Sequence, residues 1–278
     1  MITLNNLTFS YRRGSLAIDN ANATIYHGIH LLLGENGAGK TALLHLIAGL
    51  LTPKHGSCNI NDDNVAKRAP SSLEKIFFLP ENGLSECQTN TINKFARCHA
   101  PFYPNFSNEV LNSCLTEFGL TGDENLKNLS LGNRKKAALA YAISLGTDIL
   151  LLDEPTTGLD ITSRKSLQRM LAQHIDDSQT VIISTHTVWD LKNLFDGVAV
   201  MQHAKLLIAK SVSEISERLS FINSPTPPAN ALYCESFMTG NNSIIPNTDG
   251  SYSDVDFTLL YSALQSNAAQ KIINILTK

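Results

Sequence analysis

Residues 29–50 read Ile29-His30-Leu31-Leu32-Leu33-Gly34-Glu35-Asn36-Gly37-Ala38-Gly39-Lys40-Thr41-Ala42-Leu43-Leu44-His45-Leu46-Ile47-Ala48-Gly49-Leu50. An apolar run of strand length comes first, then a glycine-rich turn. Next comes a segment whose Leu43, Leu44, Ile47 and Leu50 share one helical face. Strand, glycine loop and helix in that order are the context a phosphate-binding loop requires, and Gly34 to Thr41 fits GxxxxGK[ST]. Glycines let backbone N–H groups close around phosphate oxygens where a side chain would stand in the way. A helix beginning at Lys40 turns the positive end of its dipole toward the same point. Lys40 is therefore expected to reach the β- and γ-phosphates of a nucleotide, and the Thr41 hydroxyl to complete a Mg2+ shell.

Further along, Ile149-Leu150-Leu151-Leu152-Asp153-Glu154 reads as a buried strand delivering two carboxylates at its carboxyl end. Ligands of open α/β sheets bind beyond the carboxyl ends of the strands, which is also where Lys40 stands. Asp153 is expected to hold Mg2+ and Glu154 to polarise the attacking water. Other strands are expected at Ile76–Leu79, ended by Pro80, and at Val181–Ser184. Helices are expected from Gly132 to about Leu145 and over Ser163–His174. Residues 90–118 read as two helical pieces split by Pro101 and Pro104, the second capped by Ser107 or Asn108. Near the N-terminus Ile2, Leu4, Leu7 and Phe9 interleave with Thr3, Asn5 and Asn6, and further strands are expected around Ile18 and Thr24–Tyr26. Buried strands alternating with helices mean a mostly parallel sheet covered on both faces, so the fold class is α/β.

The whole chain fits this picture. With 278 residues, 43% hydrophobic and 17% charged, it is expected to be globular, one large nucleotide-binding domain with a small appendage. Its apolar stretches are strand-sized, short of the ~20 residues of a membrane span. Met1–Phe9 alternates like a strand rather than a leader, which implies a cytoplasmic protein. A net charge of −3 gives no electrostatic reason for duplex nucleic-acid binding, and Arg134-Lys135-Lys136 reads as a solvated helix face. The 5 cysteines are odd in number and scattered, so reduced thiols are expected rather than zinc sites or disulfides. Trp189 reads as core packing. The three prolines of Asn223–Asn230, NSPTPPAN, mark a linker between a body at 1–222 and an extension at 231–278. Within the extension, Ala231–Met238 is strand-like. Asp256–Thr277 is expected to be a helix with Leu259, Leu260, Ala263 and Leu264 on one side.

Leu129-Ser130-Leu131-Gly132-Asn133, ahead of the alanine-rich helix, resembles the LSGGQ signature of ABC ATPases. Thr157-Gly158-Leu159-Asp160 resembles their D-loop, and Ser184-Thr185-His186 their switch histidine. Tyr11 follows the first strand, where the family places an adenine-stacking aromatic. These motifs, in the family's order with the two described above, cover roughly residues 1–215. The resemblance implies a RecA-like P-loop NTPase core with an N-terminal antiparallel β subdomain, a helical subdomain at about 82–130 and a small C-terminal extension. It implies ATP and Mg2+. Gly34, Glu35, Asn36, Gly37, Ala38, Gly39, Lys40, Thr41 and Ala42 would surround the phosphates, Tyr11 the adenine, and Thr41, Asp153 and Glu81 the metal. Ser130 and Gly132 would bind the γ-phosphate of ATP held by a second subunit, Asp160 would tie the two sites together, and His186 would sense the γ-phosphate beside the catalytic Glu154. One set of motifs per chain then implies that two ATPase subunits pair, as a homodimer or a heterodimer.

The resemblance also implies a membrane permease on a separate chain, with the ATPase peripheral on the inner face of the membrane. Likeness to multidrug and peptide-antibiotic exporters, extending weakly to DFTLLYSALQSN in the extension, favours export. A soluble ABC ATPase acting on nucleic acid or ribosomes is the alternative. DNA-repair members, however, insert a long coiled coil between the segments that correspond to Lys40 and Asp153 here, for which this chain has no room, and translation-factor members carry two ATPase units. A third reading, an ATP-gated regulator of an envelope complex, would present the same ATPase face.

Departures from the family pattern have physical consequences. Glu81 stands where the Q-loop glutamine is expected, and Gln88 is too far along to replace it. Ala42 lacks the usual hydroxyl, which removes one α-phosphate contact worth about 0.5–1.5 kcal/mol. Leu131 and Asn133 replace Gly and Gln of the signature while Ser130 and Gly132 remain, so active but slow hydrolysis is expected. Phe95, Phe102, Tyr103 and Phe106 either line a docking groove for the permease or form a small aromatic core.

Overall fold

The structure, a computed structural model, describes residues 1–12, 14–84, 90–186, 194–238, 240–248 and 250–277. Trp189, Gln88, Cys87 and most of the polar Asn82–Asn90 turn lie outside the described residues.

An antiparallel sheet forms first from β1 (Ile2–Phe9), β2 (Ile18–Ile25), β4 (His55–Ile60) and β5 (Asp63–Asn64), in the order β2-β1-β4-β5. In β1 the alternation slips at Asn5-Asn6, where the register with both neighbours shifts and Asn6 takes φ 47°. This bulge lets Leu7 and Phe9 return to the buried face after Ile2 and Leu4. The two strand segments expected around residues 18 and 24–26 are one continuous strand, β2.

The second sheet holds β3 (Gly28–Leu33), β6 (Ile76–Leu79), β7 (Ile149–Asp153), β8 (Thr180–Ser184), β9 (Gly197–Gln202) and β10 (Lys205–Ser211), in the order β10-β9-β3-β8-β7-β6. All neighbours are parallel except β9 with β10. Every residue of β7 and β8 is buried, as a strand covered on both faces requires. On one face lie α1 (Lys40–Ile47) and the antiparallel sheet, sharing a core of Leu32, Leu43, Leu44, Ile47, Leu151 and Ile182 with Ile2, Leu4 and Leu7. The other face carries α5 (Leu131–Ser144) and α6 (Ile161–His174), packed through Leu139, Ile143, Leu167 and Leu171 on Leu31, Leu150 and Ile183.

The short α2 (Pro70–Leu73) leads into β6, and α3 (Ile92–His99) and α4 (Asn108–Glu117) fill the inserted segment before α5. Thr91 and Ser107 cap α3 and α4 by accepting the N–H of Lys94 and Val110. Among the aromatics here, Phe95 packs edge-on against the fully buried Tyr141 at 5.0 Å, and Phe77 meets Tyr103 and Tyr141 at 5.8 Å. These rings form a small core under the helices, and Phe102 alone of the four expected aromatics is strongly exposed, at 70%.

The C-terminal part differs from the expectation in two places. After α7 (Val212–Ser216), β11 (Leu219–Ser224) pairs along its whole length with β13 (Gly240–Pro246), which in turn pairs with β12 (Tyr233–Phe237). Asn223 and Ser224, assigned to the linker, therefore close a strand, and the proline segment is the connection from β11 to β12. Prolines cannot donate to the ladder, so the strand stops at Ser224. Asn241 Nδ2 donates to the carbonyls of Ser224 and Pro225 and holds the connection in place. Asp256–Thr277 is two helices, α8 (Phe257–Leu264) and α9 (Ala269–Thr277). Between them the Ser266 hydroxyl accepts the Ala268 N–H, a local bond that competes with helix continuation. Phe257, Leu260, Ile272 and Leu276 join the same core as α5 and α6. Arg218 donates to the carbonyls of Ile275 and Leu276 at the end of α9.

Candidate functional site

The parallel strands β3, β8 and β7 are neighbours, and their carboxyl ends bring Gly34, Ser184 and Asp153 to one edge of the sheet. The loop leaving β3 is squeezed at two glycines. A Cβ on Gly34 would stand 2.7 Å from the Met201 carbonyl oxygen, and one on Gly39, at φ +107°, 2.2 Å from that of Ala17. Gly39 is the N-cap of α1 and offers no side chain to its first-turn N–H groups, and no acid lies in that turn. The helix end is thereby prepared for an anion. Gly34 and the buried Ala38 stand behind the loop. Tyr11, Glu35, Asn36, Gly37, Gly39, Lys40, Thr41, Ala42, Glu81, Asp153 and Glu154 line a cleft of about 360 Å3 in front of it. Tyr11 is 63% exposed and makes a T-shaped pair with Phe9 at 5.0 Å.

The charged groups interlock. Lys40, only 7% exposed, folds back so that Nζ donates to the Gly34 and Glu35 carbonyls at 2.7 and 3.2 Å. Thr41 Oγ1 donates to Asp153 Oδ2 at 2.7 Å, and the Ser184 hydroxyl donates to the other oxygen, Oδ1. Glu154 follows in the left-handed region, at φ +45°, a conformation that costs a residue with a side chain about 1–3 kcal/mol. Its N–H donates to both Ser184 O and Ser184 Oγ at 3.0 Å. Carboxylate oxygen Oε2 meets His186 Nδ1 at 3.0 Å. Oε1 is buried with no hydrogen-bond partner among the described residues, 4.0 Å from Lys40 Nζ.

Ser130, Gly132 and Asp160 are not brought to this cleft. They lie at the starts of α5 and α6, where Ser130 Oγ accepts the Asn133 N–H and Asp160 caps Ser163. A Cβ on Gly132 would stand 3.1 Å from the Gly158 carbonyl oxygen, so the signature and D-loop motifs touch each other. Both present themselves to solvent, with Leu131 62% and Ile161 70% exposed.

Two residues at the site escaped the sequence reading. Ser184 was visible only as part of a motif; its hydroxyl joins Asp153 to the Glu154 backbone. Lys135 corrects the solvated-face reading of residues 134–136. Arg134 is exposed and Lys136 pairs with Asp160 at 3.5 Å, but Lys135 is 6% exposed. Its Nζ donates to Glu154 O at 2.6 Å and Thr157 O at 2.9 Å. Burial pulls this ammonium below the ordinary lysine value, against the opposing push of Glu81, Glu154 and Asp153. The signal was available: Lys135 shares a helical face with the buried Ala138, Leu139 and Ala142, at i+3, i+4 and i+7.

Chemically, the cleft joins an anion-binding helix end and a buried lysine to two hydroxyl or carboxylate oxygens of the kind a hard divalent cation takes. Beside them is a carboxylate oxygen with unused hydrogen-bonding capacity. The donor set fits Mg2+ accompanying a polyphosphate, with Thr41 and Asp153 as its protein oxygens.

Comparison with known proteins agrees with this geometry. A family model described as ABC transporter matches residues 18–157. The chain is 30% identical to the ABC transporter ATP-binding protein NatA of Bacillus subtilis (strain 168) over 218 residues, covering 74% of this chain and 88% of NatA. It is 28% identical to the energy-coupling factor transporter ATP-binding protein EcfA2 of Streptococcus sanguinis (strain SK36) over 239 residues, 80% of this chain and 86% of EcfA2. The crystal structure of a putative cobalt-transport ATP-binding protein, CbiO-2, matches with a TM-score of 0.65 at 25% identity, over 98% of this chain and 100% of that one. The chain belongs to the ABC transporter family as an ATP-binding domain with the P-loop NTPase fold.

Proposed function

We propose that this chain hydrolyses ATP at a site completed by a second ATPase subunit, and that the cycle drives a membrane permease carried on a separate chain. The observation that carries the reading is the split of the phosphate-directed motifs. Lys40, Thr41, Asp153, Glu154 and His186 converge in one cleft, while Ser130, Gly132 and Asp160 face outward.

In this reading the N-terminus of α1 and Lys40 bind the phosphates of ATP, Lys40 exchanging its bonds to Gly34 O and Glu35 O for phosphate oxygens. Tyr11 stacks on the adenine. Thr41, Asp153 and Glu81 would hold Mg2+, which would supply neutralisation of the phosphate charge. Ser184 fixes the Asp153 carboxylate through one oxygen and the Glu154 backbone through the other bonds of its hydroxyl and carbonyl. Glu154 accepts the proton of the attacking water at Oε1, the oxygen with no hydrogen-bond partner among the described residues. His186 orients Oε2 and meets the γ-phosphate. Ser130 and the N-terminus of α5 supply donors to the γ-phosphate on the partner's nucleotide, and Asp160 passes between the two sites. ATP thus joins two subunits, and its hydrolysis separates them.

The permease and a position on the cytoplasmic membrane face are supported by the likeness to NatA and EcfA2, whose names describe transporter ATP-binding proteins. No helix among the described residues is long and apolar enough to cross a membrane. Export is the direction we propose, from the exporter-like motif pattern. The test is affinity capture of tagged Glu154→Gln protein from detergent-solubilised native cells with ATP present. Recovery of a multi-span membrane protein in near-equal amount is expected. Recovery of ribosomes or nucleic acid without a membrane partner would overturn the reading. Transport assays on vesicles of stated orientation, made with the captured permease, then decide direction.

A further inference from the structure

We propose that Lys135 is a positioning residue for the hydrolytic step: from the signature helix, its ammonium clamps the Glu154 and Thr157 carbonyls and fixes the turn that presents the Glu154 carboxylate. The inference rests on Glu154 serving as the base. Glu154 sits at φ +45°, and such a conformation persists only where the surroundings over-determine it. The ties that hold it are countable. Its N–H is gripped from one side by Ser184 O and Oγ, at 3.0 Å each. Its carbonyl is gripped from the other side, by the Thr157 N–H at 3.2 Å and by Lys135 Nζ at 2.6 Å. The same ammonium holds Thr157 O at 2.9 Å, so it spans both ends of the turn that separates Asp153 from the D-loop.

A lysine meant only to fill space at this position would be better replaced by an apolar side chain, because burying its charge opposes folding. What the charge provides is two short charge-assisted bonds to carbonyls that have no other donor of that strength. The anchor matters as much as the bonds. Lys135 lies on α5 between Ser130, the N-cap that faces the partner, and the buried Ala138 and Leu139. Alignment of Glu154 therefore depends on α5 being docked against the sheet. Separation of the α5 N-terminus from the sheet would withdraw the ammonium and release the turn. The base of one site is thereby tied to the helix that serves the other.

The test compares wild type with Lys135→Met, which keeps length and loses the donors, and Lys135→Arg, which keeps donors. Removing such an outer-layer partner lowers activity about 10- to 100-fold. The expectation is a loss of that size in kcat for Lys135→Met with KM for ATP and fluorescent-ATP affinity unchanged, and restoration of most of the turnover by Lys135→Arg. Should Lys135→Met not fold, Lys135→Gln takes its place, with a smaller kcat loss and again an unchanged KM. Wild-type kcat in the variant, or a loss that appears as weaker ATP binding, overturns the proposal. Absence of ATPase activity in the wild type itself would instead overturn the reading of Glu154, so the two failures are distinguishable.

Discussion

The Walker cleft and the signature surface are built from the same device, a helix that begins at a phosphate-directed loop, yet their surroundings are opposite. At the start of α1, Lys40 is buried, with the Glu154 carboxylate 4.0 Å away just past the end of β7. At the start of α5, Ser130 caps its own helix, and its neighbour Leu131 is 62% exposed. The first region has its chemistry inside the chain. The second leaves Ser130 and Asp160 exposed to solvent, with Leu131 and Ile161 exposed beside them. Under the proposed pairing, each chain would contribute one half to each of two sites.

The comparison predicts different losses on its two sides. Glu154→Gln, on the Walker side, should reduce turnover about 100- to 10,000-fold, the range for removing a general base, with ATP still bound. Phosphate release under single-turnover conditions checks it. Ser130→Ala, on the signature side, should cost about 100-fold in turnover, as loss of one preorganised donor does, while ATP affinity of the isolated chain stays at the wild-type value. If affinity of the isolated chain falls with it, the two regions are not separate halves. Lys40→Ala removes charge-assisted bonds worth about 1.5–3 kcal/mol, a roughly 10- to 100-fold weaker ATP affinity by equilibrium titration. Ala42→Ser restores the missing hydroxyl and should tighten ATP binding by about 0.5–1.5 kcal/mol, read in the same titration. The smallest change is expected for Glu81→Gln, which should leave turnover present. Its complete loss would mean that the cleft has come to depend on that acid.

Much of the architecture was legible because its causes are local. Continuous apolar runs such as Ile149–Leu152 can only be strands covered on both faces. The glycines at 34 and 39 stand where backbone approaches backbone. The cap at Ser107, one of two candidates with Asn108, follows from a hydrogen bond to the residue three positions on. What escaped depends on distant partners. The proline segment after Ser224 looked like a linker because composition does not reveal that Asn241, on another strand, satisfies the carbonyls there. The break at Ser266 hid inside a good helical period. Lys135 was misjudged because a run of three cations suggests solvent, whereas the helical face it shares with Ala138 and Ala142 decides its burial. Ser184 was named only as part of a motif, and its role in joining Asp153 to the Glu154 backbone exists only once β7 and β8 lie side by side.

What most needs testing is the proposed pairing, in which the exposed signature surface of one chain completes the phosphate cleft of another. Its most direct test is the molecular mass of Glu154→Gln protein in solution, by light scattering, without nucleotide and with ATP and Mg2+. The expected result is a monomer that becomes a dimer of twice the chain mass only when ATP is present, and a return to monomer when Ser130→Ala is added. A mass that stays monomeric while ATP is demonstrably bound would contradict it.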